Sequence, residues 1–515
     1  MGRYPAAVPM LCAMTAAAVM LQGTGSDVGK SVLVAALCRA AKRRGLRVAP
    51  FKPQNMSNNA AACPGGGEIG RAQALQALAA GETLQVDFNP VLLKPQSDRS
   101  AQIVVHGEVR GAMEASEYFA APDRLLSAVM ESFRRLEATY DLVVVEGAGS
   151  PAEINLRARD IANMGFARAA GVPVCLVGDI EKGGVIASLV GTKTVIDEED
   201  AAMIQGFLVN KFRGDPRLFD NGVTAIEERT EWPCLGVVPW LHALQRLPSE
   251  DGVVQAFERS ASASASPATR LSIVAPMLSR MANFDDADPL RMEPGVDFEW
   301  VKPGQPIPRT ADVVVLFGTK STLGDLAFLR AQGWDIDLKA HARAGGRVLG
   351  ICGGYQLLGR RIHDPEGIDG CAGSVDGLGL LDVETSMRAA KRVAEFEGRC
   401  ALTACAVRGY EIHVGETSGP DATKPMFQLG LSGASRAEGA RSVDGLIEGA
   451  YVHGMFTSDE FRREWLERAG GASDPSIRYG AQLESALDEL ADGFEEAVDV
   501  EQLLEIAASQ RISQQ

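Results

Sequence analysis

Ala17-Ala18-Val19-Met20-Leu21-Gln22-Gly23-Thr24-Gly25-Ser26-Asp27-Val28-Gly29-Lys30-Ser31 joins an apolar run to a glycine-rich loop and then to an apolar-periodic stretch, Lys30–Arg44, ended by Gly45. The order strand, glycine-rich loop, helix places backbone N–H groups and a helix N-terminus where they can cradle phosphate. Gly25 and Gly29 allow close backbone approach, Lys30 reaches the terminal phosphates, and Ser31 offers a hydroxyl to Mg2+. Thr24 stands where the common pattern has glycine, with Gly23 one place earlier. Asp27, inside the loop, is a further candidate to approach the metal.

Outward from that loop, apolar runs alternate with helical patterns from about residue 16 to 240. The expected strands are 17–21, 48–51, 142–146, 173–178 and 204–209. Leu142-Val143-Val144-Val145 is apolar throughout, which suits a parallel strand buried on both faces. Glu146 ends that strand and faces the same crevice as the phosphate loop, so it is the second expected Mg2+ ligand beside Ser31. Lys52, just past the 48–51 strand, is placed to meet phosphate or a substrate carboxylate.

A second alternating pattern begins near residue 270, with strands expected over 270–275, 313–317 and 347–351. The last runs into Gly350-Ile351-Cys352-Gly353-Gly354. A nucleophile on a sharp strand-to-helix turn needs glycines around it, because its backbone is strained and its side chain must stand clear. Cys352 is the expected nucleophile, and the backbone N–H groups of Gly353 and of Gly318, in Phe317-Gly318-Thr319-Lys320-Ser321-Thr322, are the expected oxyanion donors. The expected base is His453, in Tyr451-Val452-His453-Gly454-Met455-Phe456. His413, in Gly409-Tyr410-Glu411-Ile412-His413, is its rival.

The fold class expected is α/β with two doubly wound domains. The divisions are 16–250 for the phosphate-loop domain, 251–268 for a linker (Arg259-Ser260-Ala261-Ser262-Ala263-Ser264-Ala265-Ser266-Pro267 is low-complexity), 269–469 for the cysteine-turn domain, and 470–515 for an acidic helical extension with no chemistry of its own. Length agrees, since 515 residues exceed what one core normally supports.

Composition narrows the partners. A net charge of −16 argues against nucleic acid or an anionic membrane, and no run is long and apolar enough to span a bilayer. Lys42-Arg43-Arg44, the densest basic run, reads as the solvated end of the first helix. Nine cysteines, an odd number and none in C-x-x-C spacing, suit a reducing compartment. Met10–Met20 is apolar but runs straight into the strand that the phosphate loop requires, so it is not read as a signal peptide. The expected location is the cytoplasm, and the expected partners are small molecules.

Phe51-Lys52-Pro53-Gln54-Asn55-Met56-Ser57-Asn58-Asn59, Glu68-Ile69-Gly70-Arg71-Ala72-Gln73, Asn89-Pro90-Val91-Leu92-Leu93-Lys94-Pro95, Glu146-Gly147-Ala148-Gly149-Ser150-Pro151-Ala152-Glu153-Ile154-Asn155-Leu156 and Arg159-Asp160-Ile161-Ala162-Asn163-Met164-Gly165 resemble the cobyric acid synthases. The likeness runs in order from Met20 to about Phe456. It implies an enzyme that uses ATP with Mg2+ and glutamine to amidate peripheral carboxylates (b, d, e and g) of a cobalt corrinoid, adenosylcobyrinic acid a,c-diamide, with cobalt present only as part of the substrate. The amino half is also similar to dethiobiotin synthetase, and the cysteine turn to class I glutamine amidotransferases. The amidotransferase loop often has proline where Phe317 stands, and many members carry glutamate at the place of Met455. The resemblance places the catalytic histidine at His453.

The amide-rich strings suit a large substrate bearing several carboxylates and amides. Asn55, Asn59, Arg71, Asn155 and Asp160 are the expected substrate contacts, with Lys94 another group able to pair with a carboxylate. Two other readings stay open. One is the related cobyrinic acid a,c-diamide synthase. The other is a non-catalytic phosphate-loop sensor carrying a degenerate amidotransferase module.

Overall fold

The computed structural model describes residues 16–96, 100–114, 122–248, 270–430 and 435–513. The expected linker lies outside the described residues.

Six parallel strands form the first sheet, in the spatial order Cys234–Pro239, Ile204–Phe212, Val174–Asp179, Ala17–Gly23, Leu142–Glu146 and Val48–Phe51. Val143, Val144 and Val145 are fully buried, as a strand covered on both faces requires. The connection from Ala17–Gly23 runs to one side, to Val48–Phe51, and the one from Leu142–Glu146 crosses to the other, to Val174–Asp179, which opens a crevice at the carboxyl ends of the strands. Leu21 pairs with Glu146, so the phosphate loop and that carboxylate emerge at the same edge.

The second sheet runs Val296–Val301, Leu271–Pro276, Val313–Leu316, Arg347–Ile351, Ile447–Ala450 and Ala440–Arg441, parallel except for the last pair. A long hairpin, Glu384–Cys400 with Ala406–Ser418, builds a third sheet that reaches Val452–His453, with Tyr410 opposite His453.

Two features lie outside the simple alternation. Between Val48–Phe51 and the helix Pro122–Thr139 stand a four-stranded sheet (Gln54–Met56, Val91–Pro95, Ser100–Val105, Glu108–Glu114) and a ribbon, Ala60–Ala62 with Glu68–Gly70. Strings such as Gln54-Asn55-Met56 have no apolar period to announce a strand; their amides are held by hydrogen bonds instead.

The carboxy-terminal helices, Tyr479–Ala497 and Val500–Ser513, are the second. They return to the first half of the chain, where Leu483, Ala486, Leu487, Leu490 and Phe494 share one core with Val19, Leu21, Leu33 and Val34. Val498 forms an isolated bridge with Gly236. The basic run at the end of the Lys30–Arg43 helix is therefore not simply solvated: Arg43 pairs with Asp492 at 2.7 Å and Arg44 with Glu501 at 3.0 Å. Among the described residues no helix is long and apolar enough to cross a membrane.

Candidate active site

At the first sheet's crevice the turn after Ala17–Gly23 leads into the Lys30–Arg43 helix through Gly29, which is left-handed at φ 95°. A side chain at Gly29 would collide with the Asn210 amide, so both conformation and space demand glycine there. A Cβ on Gly25 would meet no protein atom within 4 Å. The tight position is instead Gly23, whose Cβ would stand 2.6 Å from Val28 and 2.8 Å from Lys30 Nζ. Lys30 Nζ donates to the carbonyls of Gly25 (2.9 Å) and Gly149 (3.3 Å), stretching across the loop mouth.

Glu146 is buried and surrounded by donors. Its Oε1 accepts from Ser31 Oγ and Lys52 Nζ, both at 2.8 Å, and its Oε2 accepts from Gln76 at 2.6 Å and Gln73 at 3.3 Å. Burial pushes its pKa up, but Lys52 and the hydrogen bonds from Gln76 and Ser31 prevail and hold it below the usual carboxylate range. A cavity of about 1500 Å3 opens over this cluster. Asp27, Lys30, Lys52, Asn55, Arg71 and Asp160 all contribute to its walls, as does Gln482 from the returning carboxy-terminal helix.

In the second half, Arg347–Ile351 ends at Cys352, which takes φ 53° and ψ −111° before the helix Gly353–Leu358. The flanking glycines are sterically required: a Cβ on Gly350 would lie 2.7 Å from Gly354 O, and one on Gly353 would lie 2.9 Å from Thr319 N. Cys352 N donates to Ala450 O at 2.8 Å, pinning the turn. Cys352 is 7% exposed, its Sγ donates to Ile412 O at 3.5 Å, and it lies near enough to the His453 imidazole to act on it electrostatically. Gly318 backs onto the same ring, since its Cβ would stand 3.0 Å from His453 Cε1.

His453 Nδ1 lies 2.7 Å from Asp286 Oδ2, and Asp286 Oδ1 accepts from Gly454 N at 2.6 Å. Burial of the imidazole opposes its charged form, but Asp286 and then the Cys352 thiol outweigh that and raise its pKa to about 10. The rival His413 stacks on Tyr451 with centroids 3.7 Å apart, and burial pushes its pKa down to about 4. Cysteine, histidine and carboxylate thus stand together in an arrangement that can supply a nucleophile, a base and an orienting group.

The other expected substrate contacts divide. Asn55 lines the cavity and donates to Gln73 at 2.9 Å. Asn59 faces the other half of the chain, its Oδ1 accepting from Asn283 N at 2.7 Å. Asp160 has both oxygens engaged by the N–H groups of Ala162, Asn163 and Gly165, each at 2.8 Å, at the start of the helix Met164–Ala170. Asn155 is exposed and is not among the cavity-lining residues. Lys94 is buried and paired with Glu68 at 2.8 Å.

Residues 19–254 match the CobQ/CobB/MinD/ParA nucleotide binding domain, and residues 272–461 match the CobB/CobQ-like glutamine amidotransferase domain. The cobyric acid synthase of Hyphomonas neptunium is 64% identical to this chain over 498 residues, covering 96% of this chain and 98% of that protein. The chain belongs to the cobyric acid synthase family. Members from Paracoccus denitrificans and Bradyrhizobium diazoefficiens are 59% and 56% identical, over 95% and 96% of this chain and 99% and 100% of their own lengths. The family's two halves coincide with the two sites just described.

Asp286 escapes a sequence reading because it lies 167 positions before His453, in an acidic string (Asp285-Asp286-Ala287-Asp288) that resembles a solvated loop. The place of the frequent glutamate is taken by Met455, which is fully buried.

Proposed function

We propose that this chain is a glutamine-hydrolysing, ATP-dependent amidoligase of cobalamin biosynthesis, a cobyric acid synthase that amidates the b, d, e and g carboxylates of adenosylcobyrinic acid a,c-diamide. The observation that carries the reading is the coexistence of two complete chemical sites on one chain: the Lys30–Ser31–Lys52–Glu146 cluster beneath a large cavity, and the Cys352–His453–Asp286 line. Near-full-length identity to proteins named cobyric acid synthase favours it over the a,c-diamide synthase and over a non-catalytic sensor.

Chemistry in the second half begins with Cys352 Sγ attacking the side-chain carbonyl carbon of glutamine. A C–S bond forms while the Gly318 and Gly353 amides face the oxyanion. His453, charged in the resting site, gives its proton to the departing nitrogen as the C–N bond breaks, releasing ammonia and leaving a thioester. The neutral imidazole then takes a proton from water, whose oxygen attacks the thioester carbonyl. Glutamate departs, leaving the Cys352 sulfur as thiolate beside the charged His453, as at the start of the cycle.

In the first half a corrinoid carboxylate oxygen attacks the terminal phosphorus of ATP, and ADP leaves. Lys30 and the loop amides hold the phosphates, and Lys52 stands at the same place. Ammonia, carried inside the protein between the two halves, attacks the acyl phosphate carbonyl, and phosphate leaves with the amide formed. Ser31 Oγ and Glu146 Oε1 are 2.8 Å apart. A hydroxyl and a carboxylate beside the phosphate loop are oxygen donors of the kind Mg2+ takes, so Ser31 and Glu146 would hold the ion, which would neutralise charge on the phosphates. A cytoplasmic location and small-molecule partners alone complete the reading, in keeping with a net charge of −16.

Replacing Cys352 with alanine tests the division of labour. Glutamine-supported amidation is lost, and amidation supplied with free ammonia persists, measured as mass gain of the corrinoid. Loss of both would refute it.

A further inference from the structure

The loop that orients His453 is held by the other half of the chain. Asn283, left-handed at φ 53°, has its backbone N–H on Asn59 Oδ1 at 2.7 Å; its side-chain amide donates to Ala60 O and to Tyr410 Oη, each at 2.8 Å. The Tyr410 ring stacks on His453 with centroids 5.3 Å apart and planes 23° apart. Two residues on, Asp285 Oδ2 lies 2.8 Å from Arg71 Nε, and the next residue is Asp286.

Arg71 therefore has two surroundings. Its backbone N–H donates to Asn59 O at 3.0 Å and its side chain, 20% exposed, lines the same cavity as Glu146, Lys52 and Lys30. Its Nε faces a carboxylate that adjoins the one on His453. Asp285 and Asp286 are both buried carboxyls, and neither Asp285 Oδ1 nor Arg71 Nε has a hydrogen-bond partner among the described residues, so the 2.8 Å contact between Arg71 and Asp285 is an ion pair without hydrogen-bond geometry. Burial raises the Asp285 pKa and Asp286 raises it further, with Arg71 as the opposing cation. A guanidinium has five donors in a rigid fork, so it can hold Asp285 and take an anion from the cavity together.

We propose that Arg71 is a positioning residue that makes glutamine hydrolysis depend on what occupies the cavity: a substrate carboxylate or phosphate bound there fixes the guanidinium against Asp285 and so fixes the Asp286–His453 pair. The inference rests on the function proposed above. Occupancy of one site then favours the productive arrangement of the other, and ammonia is released when an acceptor is present.

Glutamine hydrolysis by the full chain, with and without the corrinoid a,c-diamide and a non-hydrolysable ATP analogue, is the measurement, made on wild type, Arg71→Ala, Arg71→Lys and Asp285→Asn. Wild type is stimulated at least about fivefold, the lower range of coupling between sites. Arg71→Ala and Asp285→Asn lose the stimulation through kcat with KM for glutamine unchanged, because neither side chain touches glutamine. Arg71→Lys restores part of it. Ammonia-supported amidation by Asp285→Asn stays at the wild-type rate, which separates this coupling from the synthetase chemistry; absence of ammonia-supported amidation in wild type itself would instead overturn the underlying function. An unstimulated wild type, or Arg71→Ala and Asp285→Asn stimulated as fully as wild type, overturns the proposal. Should Arg71→Ala fail to fold, Asp285→Asn decides alone.

Discussion

Both halves of the molecule place their chemistry at a junction where a parallel strand turns sharply into a helix, and each junction enters the left-handed region just before its helix. In the first half the residue next to the helix is Gly29, at φ 95°, with Asp27 two places earlier at φ 59°; in the second it is Cys352, at φ 53°. The difference follows from what each turn must present. A phosphate cradle works through backbone N–H groups, so a side chain would only obstruct, and here it would strike Asn210. A nucleophile is itself a side chain, so the second turn must hold a strained non-glycine residue, at a cost of order 1–3 kcal/mol. The strain is contained by the glycines on both sides and by the bond from Cys352 N to Ala450 O.

Exchanging the two solutions gives the largest effect. Cys352→Gly lowers glutamine hydrolysis by at least about 10^3-fold, as removal of a nucleophile does. The melting temperature holds or rises, because glycine accepts the conformation. A sharp fall in melting temperature would break the comparison.

Next comes the group that has no counterpart in the first half. Asp286→Asn lowers the rate of glutamine hydrolysis by about 10^2-fold or more, since the imidazole loses both its orientation and its counter-charge. Ammonia-supported amidation is unchanged. The pH dependence has a definite sign. His453 is raised from 6.5 to about 10, so the charged imidazolium contributes stability that is fully present below 6.5 and lost as pH rises through about 10. In Asp286→Asn the burial of the ring is no longer outweighed by that carboxylate, and the loss moves to lower pH. Thermal unfolding followed across this range shows the shift; identical profiles for the two proteins would contradict it.

Gly29→Ala is the mirror test. It disables nucleotide use by at least about tenfold through left-handed strain of about 1–2 kcal/mol plus the clash with Asn210, and leaves glutamine hydrolysis by the resting enzyme intact. The readout is ATP affinity by calorimetry. The smallest effect is expected at the surface. Arg43→Ala removes a partly exposed pairing with Asp492 and costs under about 1 kcal/mol, measured by denaturant titration.

The two junctions were not equally legible. Lys30, Ser31 and Glu146 could be placed together from sequence because parallel-strand register fixes which ends share an edge, and Leu21 does pair with Glu146. Cys352 was readable from its glycines for the same local reason. Its partners are less local. His453 needed the family resemblance to separate it from His413, and Asp286 left no signal, because its role depends on how the segment Phe284–Ala287 packs against Gly454. The amide-rich strings pointed to polar contacts but not to which ones. Asn59 bonds the other half of the chain and Asp160 starts a helix, whereas Asn55 does face the cavity.

What the sequence determined by itself is whatever short-range sterics and hydrophobic period enforce: two α/β sheets, the phosphate loop, the strained cysteine, and helices in the last forty or so residues. What only the tertiary structure decided is every pairing between distant segments. The final helices close the core of the first sheet rather than standing apart, and Arg71 meets Asp285 across the two halves. The physical reason is that an apolar stripe or a buried charge states that it needs a partner without stating which, and only the folded chain brings the complementary surface within reach.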